Sequence, residues 1–501
     1  MHPTEQYCRD LAVAENGRIF CGIGSHADLI AYDPTTHEKR SILPERYKNN
    51  SFAYTVEAEG KIVYVFLHFD EIVLIFDAES YELLKEIRSD KGPVTIHRQR
   101  SGGPVLIYHP SRGYLRFNKT TMSLEPVSVP SYGLWDPESN VAFTATSQYF
   151  AAHNLTDGRC LAWVDVAKDG EGMSIFSLGT GPDGCIYGGV YNLLHLFRYC
   201  PSTGILKDLG NPVVGSSGEF YSFLSRQGKL YMASYTYAVL TVYDPSRPWG
   251  PGTDLESNPR KIGPVGEEQY RPPAMVAAAD GRIYIGTIPA YGKLGGALSA
   301  YDPRTDAFEV HRNIIPNQSI ISLSTSPDGW TIYGGSSVRG GGGAEPVEKS
   351  AHFFAWDVRS GSMLFDTVPF PHTGEIQCLA TDSAGVVYGF AGSNIFVYDP
   401  RSASIVYKGS SPVGHVKRLV LGADGYFYGI SPSALFRMRP MSSNPSEIGF
   451  QTLSRGGADI ALGTDGTIYF ARGTDLYRLD NVPSLSSPAG DEWIYLSLIH
   501  I

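Results

Sequence analysis

Residues 280–303 contain the pattern that decides the fold: Asp-Gly-Arg-Ile-Tyr-Ile at 280–285, followed by Tyr-Asp-Pro at 301–303. The Asp-Gly pair tolerates positive φ and suits a tight hairpin turn. The Ile-Tyr-Ile segment after it has the β-branched and aromatic composition of a strand. Proline fixes φ and lacks an N–H, so Asp-Pro ends the following strand and begins a reversal. The stretch therefore predicts antiparallel strands joined by short turns.

The same pattern recurs at least nine times along the chain. Each copy opens with a glycine and has an aromatic residue three or four positions later. The opening glycines are Gly17, Gly60, Gly184, Gly228, Gly281, Gly329, Gly385, Gly425 and Gly466. From the third onward they are 40 to 56 residues apart, which fits a four-stranded propeller blade and is too long for an ankyrin or leucine-rich unit. We therefore predict an all-β protein, a β-propeller of four-stranded antiparallel blades.

Two arrangements fit the number of repeats. Seven can be traced over about residues 173–480, and four more precede them near 10–43, 52–88, 95–128 and 133–166. One propeller ring usually has four to eight blades. We therefore predict N-terminal blades of an incomplete propeller over 1–170, a seven-bladed ring over 171–481, and an apolar tail over 482–501 that continues no repeat. The alternative is a single ring of seven or eight blades in which some repeats merge.

Composition and charge argue against several classes of partner. The chain has 55 glycines, 33 prolines and 31 tyrosines, and only 18% of its 501 residues are charged, which is typical of a soluble β-rich protein. No apolar run reaches the roughly 18 residues of a membrane helix, so no membrane partner is predicted. The net charge of −10 argues against nucleic acid, which needs a clustered basic face.

The compartment is left open between secreted and cytoplasmic. Residues 1–10 are polar and show no apolar signal segment, but the first methionine falls almost directly on a repeat, which is typical of a truncated start. Four triplets, at 49–51, 118–120, 154–156 and 317–319, match the acceptor pattern for N-glycosylation.

The cysteines are interpreted as buried free thiols. They contain no Cys-x-x-Cys spacing and are spread through predicted strands, which favours free thiols over a disulfide framework or a metal site. The six are Cys8, Cys21, Cys160, Cys185, Cys200 and Cys378. No metal and no other cofactor is predicted.

The repeated Gly-x-x-Tyr and Tyr-Asp-Pro patterns resemble those of the seven-bladed propellers of the quinoprotein-like and tryptophan-aspartate-repeat-like superfamily. The resemblance extends over nearly the whole chain. Trp356-Asp357 is similar to a blade signature, although its usual Gly-His partner is not repeated, and the His153-Asn154 step resembles the catalytic neighbourhood of some propeller polysaccharide lyases. The resemblance implies the fold and leaves the function open, because this fold hosts scaffolds, lectins, lyases, hydrolases and oxidoreductases.

The predicted ligand site is a group of segments that depart from the repeat: 266–273, 287–296, 317–319 and 334–349, the last with four consecutive glycines. They stand at corresponding points of adjacent blades, where inner strands begin around one mouth of the channel. We expect them to face an anionic polysaccharide or oligosaccharide. The predicted binding residues are Gln269, Tyr291, Lys293, Gln318 and Arg339.

If the site is catalytic, the predicted chemistry is β-elimination on a uronate polysaccharide. This reaction needs a base, an acid for the leaving oxygen and a cation for the carboxylate. His153 and His415 are the candidate bases, and Tyr221 and Tyr235 are the candidate acids. Arg271 would neutralise the carboxylate through its planar fork. The alternative function is a non-catalytic propeller that binds a glycan or a protein.

Overall fold

The computed structural model describes residues 5, 7–48, 51–98, 103–127, 134–136, 139–145, 149–157, 159–165, 172–192, 194–441, 448–479 and 494–496. They fall into two compact units, within 1–169 and 170–501. The described residues are strands and turns, with one 3₁₀ turn at Glu45–Tyr47. None of them forms a helix long and apolar enough to cross a membrane.

Residues 1–169 contain four antiparallel groups of four strands, each in chain order. The first and second groups form one eight-stranded sheet, in which Gly24 pairs with Phe52. The strands are Tyr7–Val13, Ile19–Gly24, Asp28–Tyr32 and Lys39–Ser41; Phe52–Glu59, Ile62–His68, Ile72–Asp77 and Leu83–Ile87; Thr95–Arg98, Val105–His109, Gly113–Asn118 and Ser123–Pro126; and Leu134–Asp136, Val141–Ala145, Tyr149–Asn154 and Cys160–Asp165.

Residues 170–501 contain seven four-stranded antiparallel sheets, numbered here as blades one to seven. Blades one to four are Ile175–Thr180, Ile186–Val190, Leu196–Cys200 and Ile205–Asp208; Phe220–Arg226, Lys229–Ser234, Val239–Tyr243 and Arg260–Pro264; Gln269–Ala277, Ile283–Pro289, Ala297–Asp302 and Ala307–Arg312; and Ser319–Thr325, Thr331–Ser337, Phe353–Asp357 and Ser362–Thr367. Blades five to seven are Cys378–Thr381, Val387–Ala391, Asn394–Asp399 and Ser404–Ser410; Arg418–Leu421, Phe427–Ile430, Ala434–Arg439 and Gly449–Arg455; and Asp459–Leu462, Ile468–Arg472, Asp475–Leu479 and Ile494–Leu496.

The first strands of these seven blades form a closed ring. Each lies beside the first strand of the next blade, and that of blade seven lies beside that of blade one. Apolar side chains seal this last junction: Leu178 and Tyr199 of blade one pack with Ala461 and Tyr469 of blade seven. The predicted all-β propeller fold is confirmed. The alternative, in which the N-terminal repeats share a single ring, is not the arrangement found.

A glycine facing a phenylalanine is the packing unit inside four of the blades. The glycine follows the repeat tyrosine on the second strand and pairs with a phenylalanine on the third. The pairs are Gly188 with Phe197, Gly334 with Phe354, Gly389 with Phe396 and Gly429 with Phe436. A Cβ at any of these glycines would overlap the phenylalanine ring. In each Tyr-Gly pair of the second strand, the tyrosine ring therefore lies on one face of the sheet, and the glycine leaves space on the other face for the phenylalanine ring of the third strand.

The cysteine prediction was wrong for most of these residues. Cys185 and Cys200 form a disulfide, because Ile186 pairs with Tyr199 and so places the two cysteines opposite each other at the next position, with Cα atoms 4.3 Å apart. The other four cysteines are free: Cys378 is buried, Cys21 is partly buried, and Cys8 and Cys160 are exposed.

The apolar end of the chain also differs from expectation. Ile494–Leu496 pairs with residues 476–478 as the outermost strand of blade seven, whereas the sequence predicted that this segment continues no repeat. The recurring Gly-x-x-Tyr signature belongs to the second strand of a blade, so an outer strand carries no sign of it.

Asp459 ties three blades together where the ring closes. Its side chain is buried, and Oδ2 accepts the backbone N–H of Leu178 in blade one at 2.8 Å. Its Oδ1 lies 2.9 Å from Nε of Arg418 in blade six. Arg418 in turn donates from Nη1 to the carbonyl of Leu178 at 3.3 Å. One carboxylate therefore fixes the relative positions of blades six, seven and one.

We expect Asp459→Asn to lower the free energy of unfolding by about 1.5–3 kcal/mol, because the amide retains an acceptor but loses the charge opposite Arg418. Urea denaturation at neutral pH measures the change. The matched control is Asp254→Asn, an exposed carboxylate in a loop, which should stay within about 0.5 kcal/mol of the parent. Equal stability of the two variants would contradict the role of Asp459 in closure.

Candidate functional site

One mouth of the central channel is lined by all seven blades. A cavity of about 380 Å³ there is bordered by a residue near the start of each inner strand. These residues are Phe176, Tyr221, Pro273, Ile321, Gln377, Arg418 and Asp459. A second cavity of about 180 Å³, lined by later residues of the same strands such as Ser222, Ser322 and Cys378, continues inward. We call the first cavity the channel mouth.

Arg271 lies among three tyrosines at this end of the ring. Its guanidinium carbon is 4.6 Å from the ring centre of Tyr235 and 4.9 Å from that of Tyr291. Arg271 Nη2 donates to Tyr291 Oη at 2.9 Å, and the hydroxyls of Tyr235 and Tyr291 are 2.8 Å apart. Tyr221, which lines the channel mouth, interacts electrostatically with Arg271. These four residues form the Arg271 cluster.

The electrostatics of the cluster favour neutral tyrosines around a charged arginine. Burial raises the pKa of Tyr221 and of Tyr235, and the hydrogen bond with Tyr291 raises that of Tyr235 further. Their hydroxyls are therefore protonated near neutral pH. The carboxyl of Glu219 interacts electrostatically with Arg271, but burial has the larger effect and raises the pKa of Glu219. No ion pair joins Arg271 to a carboxylate within the described part of the chain.

More aromatic side chains extend from the Arg271 cluster along blades one to three. The ring of Phe176 lies 4.8 Å from that of Tyr191 and 4.9 Å from that of Tyr221. The ring of Tyr270 lies 4.8 Å from that of Tyr237. Tyr191 and Tyr237 are 42% and 36% exposed. We call these five residues the aromatic band. Tyr191 and Tyr237 were not predicted as site residues, because both follow the second strand of a blade and lie outside the repeat signature.

Blades four to six bring charged groups to the same mouth. Glu375 lines it, and its Oε1 is 2.9 Å from His415 Nε2. This hydrogen bond raises the pKa of His415 and lowers that of Glu375, on which Arg339 also acts. Lys417 donates to the carbonyl of Phe176 at 3.3 Å. Lys417 lines the mouth, and the surrounding protein lowers its pKa by desolvation.

The structure thus gathers several of the predicted site residues. Tyr221, Tyr235, Arg271 and Tyr291 form one cluster, while Arg339 borders the cavity and His415 contacts a residue that lines it. His153 lies on the third strand of the fourth sheet of the other unit, 1–169.

Gln269 and Gln318 hold the blades together internally, which corrects their predicted role in ligand binding. Each is 1% exposed. Gln269 accepts from Thr287 Oγ1 at 2.7 Å, and Gln318 accepts from Ser336 Oγ at 2.6 Å. Their amide nitrogens donate to the carbonyls of Glu267 and of residue 350, both at 3.0 Å. With both ends of each amide engaged, neither side chain is available to a ligand.

Lys293 and the glycine run 340–343 join blades three and four. The Lys293 ammonium is 3.7 Å from Glu268 Oε1. The backbone carbonyl of Lys293 accepts the N–H of Gly341 at 3.0 Å, and the N–H of Gly292 donates to the carbonyl of Gly342 at 2.9 Å. A Cβ at Gly340 or Gly341 would overlap backbone carbonyls of the facing loop. The glycines are therefore needed for close contact between two backbones.

Comparisons with known proteins give no family and no function. No family model matches the chain, and no curated protein matches it. Among solved structures it is similar to a chain of the mitotic checkpoint complex, at 12% identity and a TM-score of 0.45 over 69% of this chain and 96% of that one. It is also similar to Kuenenia stuttgartiensis hydrazine synthase, at 12% identity and a TM-score of 0.48 over 63% and 97%. At these values neither similarity assigns a function.

The pair formed by Glu375 and His415 predicts a measurable pH dependence. Glu375→Gln removes the charge that raises the pKa of His415, so this pKa should fall toward that of an ordinary imidazole, as followed by NMR titration. The pair stabilises the fold between the two pKa values. Its contribution is lost as pH rises through the raised pKa of His415 or falls through the lowered pKa of Glu375. Glu345→Gln, at an exposed carboxylate, is the control, and an unchanged His415 titration in Glu375→Gln would contradict the assignment.

Proposed function

We propose that the propeller of residues 170–501 binds an acidic carbohydrate at the channel mouth and acts as a binding module. The observation that carries the proposal is the Arg271 cluster, a partly exposed guanidinium held by three tyrosines without an ion-pairing carboxylate among the described residues. Arginine binds a carboxylate through two parallel hydrogen bonds. A uronate sugar supplies that carboxylate, and its ring has apolar faces that suit an aromatic surface.

The aromatic band supports a ligand longer than one sugar. Tyr191 and Tyr237 are exposed. Tyr191 contacts the ring of Phe176, and Tyr237 contacts that of Tyr270. A tyrosine offers an apolar ring together with a polar hydroxyl. Ligand pockets are commonly lined by aromatic side chains with a few convergent polar groups. A chain of sugar rings could lie on this band while one carboxylate contacts Arg271.

The local charge also suits an anion, although the whole chain has a net charge of −10. Around the mouth, the basic side chains Arg271, Arg339, Lys417 and Arg418 outnumber the acidic Glu219, Glu375 and Asp459. The mouth therefore carries a small positive excess, opposite in sign to the charge of the whole chain, and this excess favours an anionic ligand.

Binding fits the geometry better than β-elimination does. Elimination needs an unprotonated base beside the carbon that loses its proton. In the described mouth, Tyr221 and Tyr235, the predicted acids, have raised pKa values and are protonated, as that role requires. The predicted base His415 is the weaker part of the mechanism, because the hydrogen bond to Glu375 favours its charged form, which cannot accept a proton.

We expect Arg271→Gln to weaken binding of uronate oligosaccharides by about ten- to a hundredfold, because a hydrogen bond to a charged group is lost. Calorimetric titration with uronate oligosaccharides and with their neutral counterparts measures this change. Arg304→Gln is the matched control, since Arg304 lies in the same blade in the turn after its third strand and pairs with Asp302 at 2.7 Å. Equal affinity of parent and Arg271→Gln, or equal affinity for neutral and acidic sugars, would contradict the proposal.

The same protein also tests the enzymatic alternative. Incubation with uronate polysaccharides, followed by ultraviolet absorbance of the unsaturated product, should show no rise. A rise that disappears in Arg271→Gln would replace the binding module by a lyase that uses the same cluster.

A further inference from the structure

A side-chain turn recurs where the third strand of a sheet ends. Asp33 Oδ1 accepts the N–H groups of residues 35 and 36 at 2.9 and 3.3 Å, and Asp77 Oδ1 accepts those of residues 79 and 80 at 2.9 Å each. Four aspartates of the second unit accept the N–H two positions on in the same way: Asp244, Asp302, Asp357 and Asp399. This is the turn that the repeated aromatic-Asp pattern encodes.

Two sheets of residues 1–169 have asparagine in place of this aspartate. Asn118 Oδ1 accepts the N–H groups of residues 120 and 121 at 3.0 and 3.2 Å. Asn154 Oδ1 accepts those of residues 156 and 157 at 2.8 and 3.3 Å. The turn is therefore kept by the side-chain oxygen alone.

The asparagines add an amide nitrogen that the turn does not use. A carboxylate is the stronger acceptor for backbone N–H groups, so asparagine at this position does not stabilise the turn better than aspartate does. Asn154 Nδ2 donates no hydrogen bond among the described residues, and Asn118 Nδ2 donates to Glu125 Oε1 at 2.7 Å in an exposed position. Both nitrogens can be modified without loss of the turn.

Threonine follows each asparagine at the second position, in Asn118-Lys119-Thr120 and Asn154-Leu155-Thr156. This is the acceptor triplet for N-glycosylation. Thr120 and Thr156 are exposed. The triplet at 317–319 is different, because its Ser319 is fully buried and donates to the carbonyl of Arg339 at 2.7 Å. The triplet at 49–51 begins outside the described residues.

The disulfide between Cys185 and Cys200 is an independent sign of the compartment. Disulfides form and persist in oxidising environments such as the lumen of the secretory pathway. N-glycosylation of this triplet is likewise a property of secreted proteins. The disulfide therefore indicates an environment in which the triplets would also be glycosylated.

We propose that Asn154 and Asn118 carry N-linked glycans added in an oxidising secretory compartment. The donor is a lipid-diphosphate-linked oligosaccharide. The bond from Nδ2 to the anomeric carbon forms, the bond from that carbon to the diphosphate oxygen breaks, and the lipid diphosphate leaves with its electron pair. Nδ2 loses one proton to a base of the transferase. Because Oδ1 holds the turn, the glycan projects from a turn that remains closed.

The test uses the full chain secreted from a eukaryotic host. An amidase that releases N-glycans and converts the linked Asn to Asp, used in heavy-oxygen water, should label the peptides that contain Asn154 and Asn118 in mass spectra. Without reduction, the same digest should contain the peptide pair joined by Cys185 and Cys200. Secreted protein with both asparagines unlabelled would overturn the proposal.

Conservative variants separate glycosylation from folding. Asn154→Asp and Asn118→Asp restore the residue that the other repeats use in this turn, so these variants should be secreted and each should lose one glycan. Thr156→Ala should lose the glycan at Asn154, whereas Thr156→Ser should retain it. A glycan count that stays the same in Asn154→Asp would show that this residue is not an acceptor.

Discussion

The buried carboxylate of Asp459 is the constraint on which the ring depends. A propeller whose seven sheets are each complete within one continuous segment has no strand shared between its first and last blades, so closure rests on contacts between inner strands. Asp459 supplies a hydrogen bond to blade one and an ion pair to blade six. Because Asp459 and Arg418 also line the channel mouth, the groups that close the ring shape the candidate ligand site.

The fold could be predicted from sequence because each repeat carries its own turn chemistry. Gly281 has φ of +94°, a conformation that favours glycine, and Tyr284 after it is buried. Such local signals recur in every blade and leave little choice of fold. The pairing of Cys185 with Cys200 could not be read in this way, because it depends on the register between two strands. The last strand, Ile494–Leu496, carries no repeat signal at all.

The site could be predicted in part, for a related reason. Arg271 and Tyr221 occupy equivalent positions in adjacent repeats. When the blades form a ring, residues at equivalent positions of neighbouring blades lie close together. The burial of a side chain could not be predicted from its position in the repeat. The sequence predicted that Gln318 contacts a ligand, whereas its side chain is buried and accepts a hydrogen bond from Ser336 inside the blade. Lys417 and Tyr237 were missed since neither belongs to the repeat signature.

In the proposed function, the Arg271 cluster supplies a positive charge to an anionic ligand. Partial burial of a guanidinium is unfavourable unless it is paired or hydrogen-bonded, and here two aromatic faces and a tyrosine hydroxyl contact the charge. A carboxylate bound here would attract the guanidinium more strongly than in bulk water, because the site is only partly exposed to solvent. Because a ligand that binds the native state stabilises it, a carboxylate bound at this cluster would stabilise the propeller. The protonated state of the tyrosines matters to this proposal as much as the arginine, since an ionised phenol would neutralise the positive charge that the proposed ligand would contact.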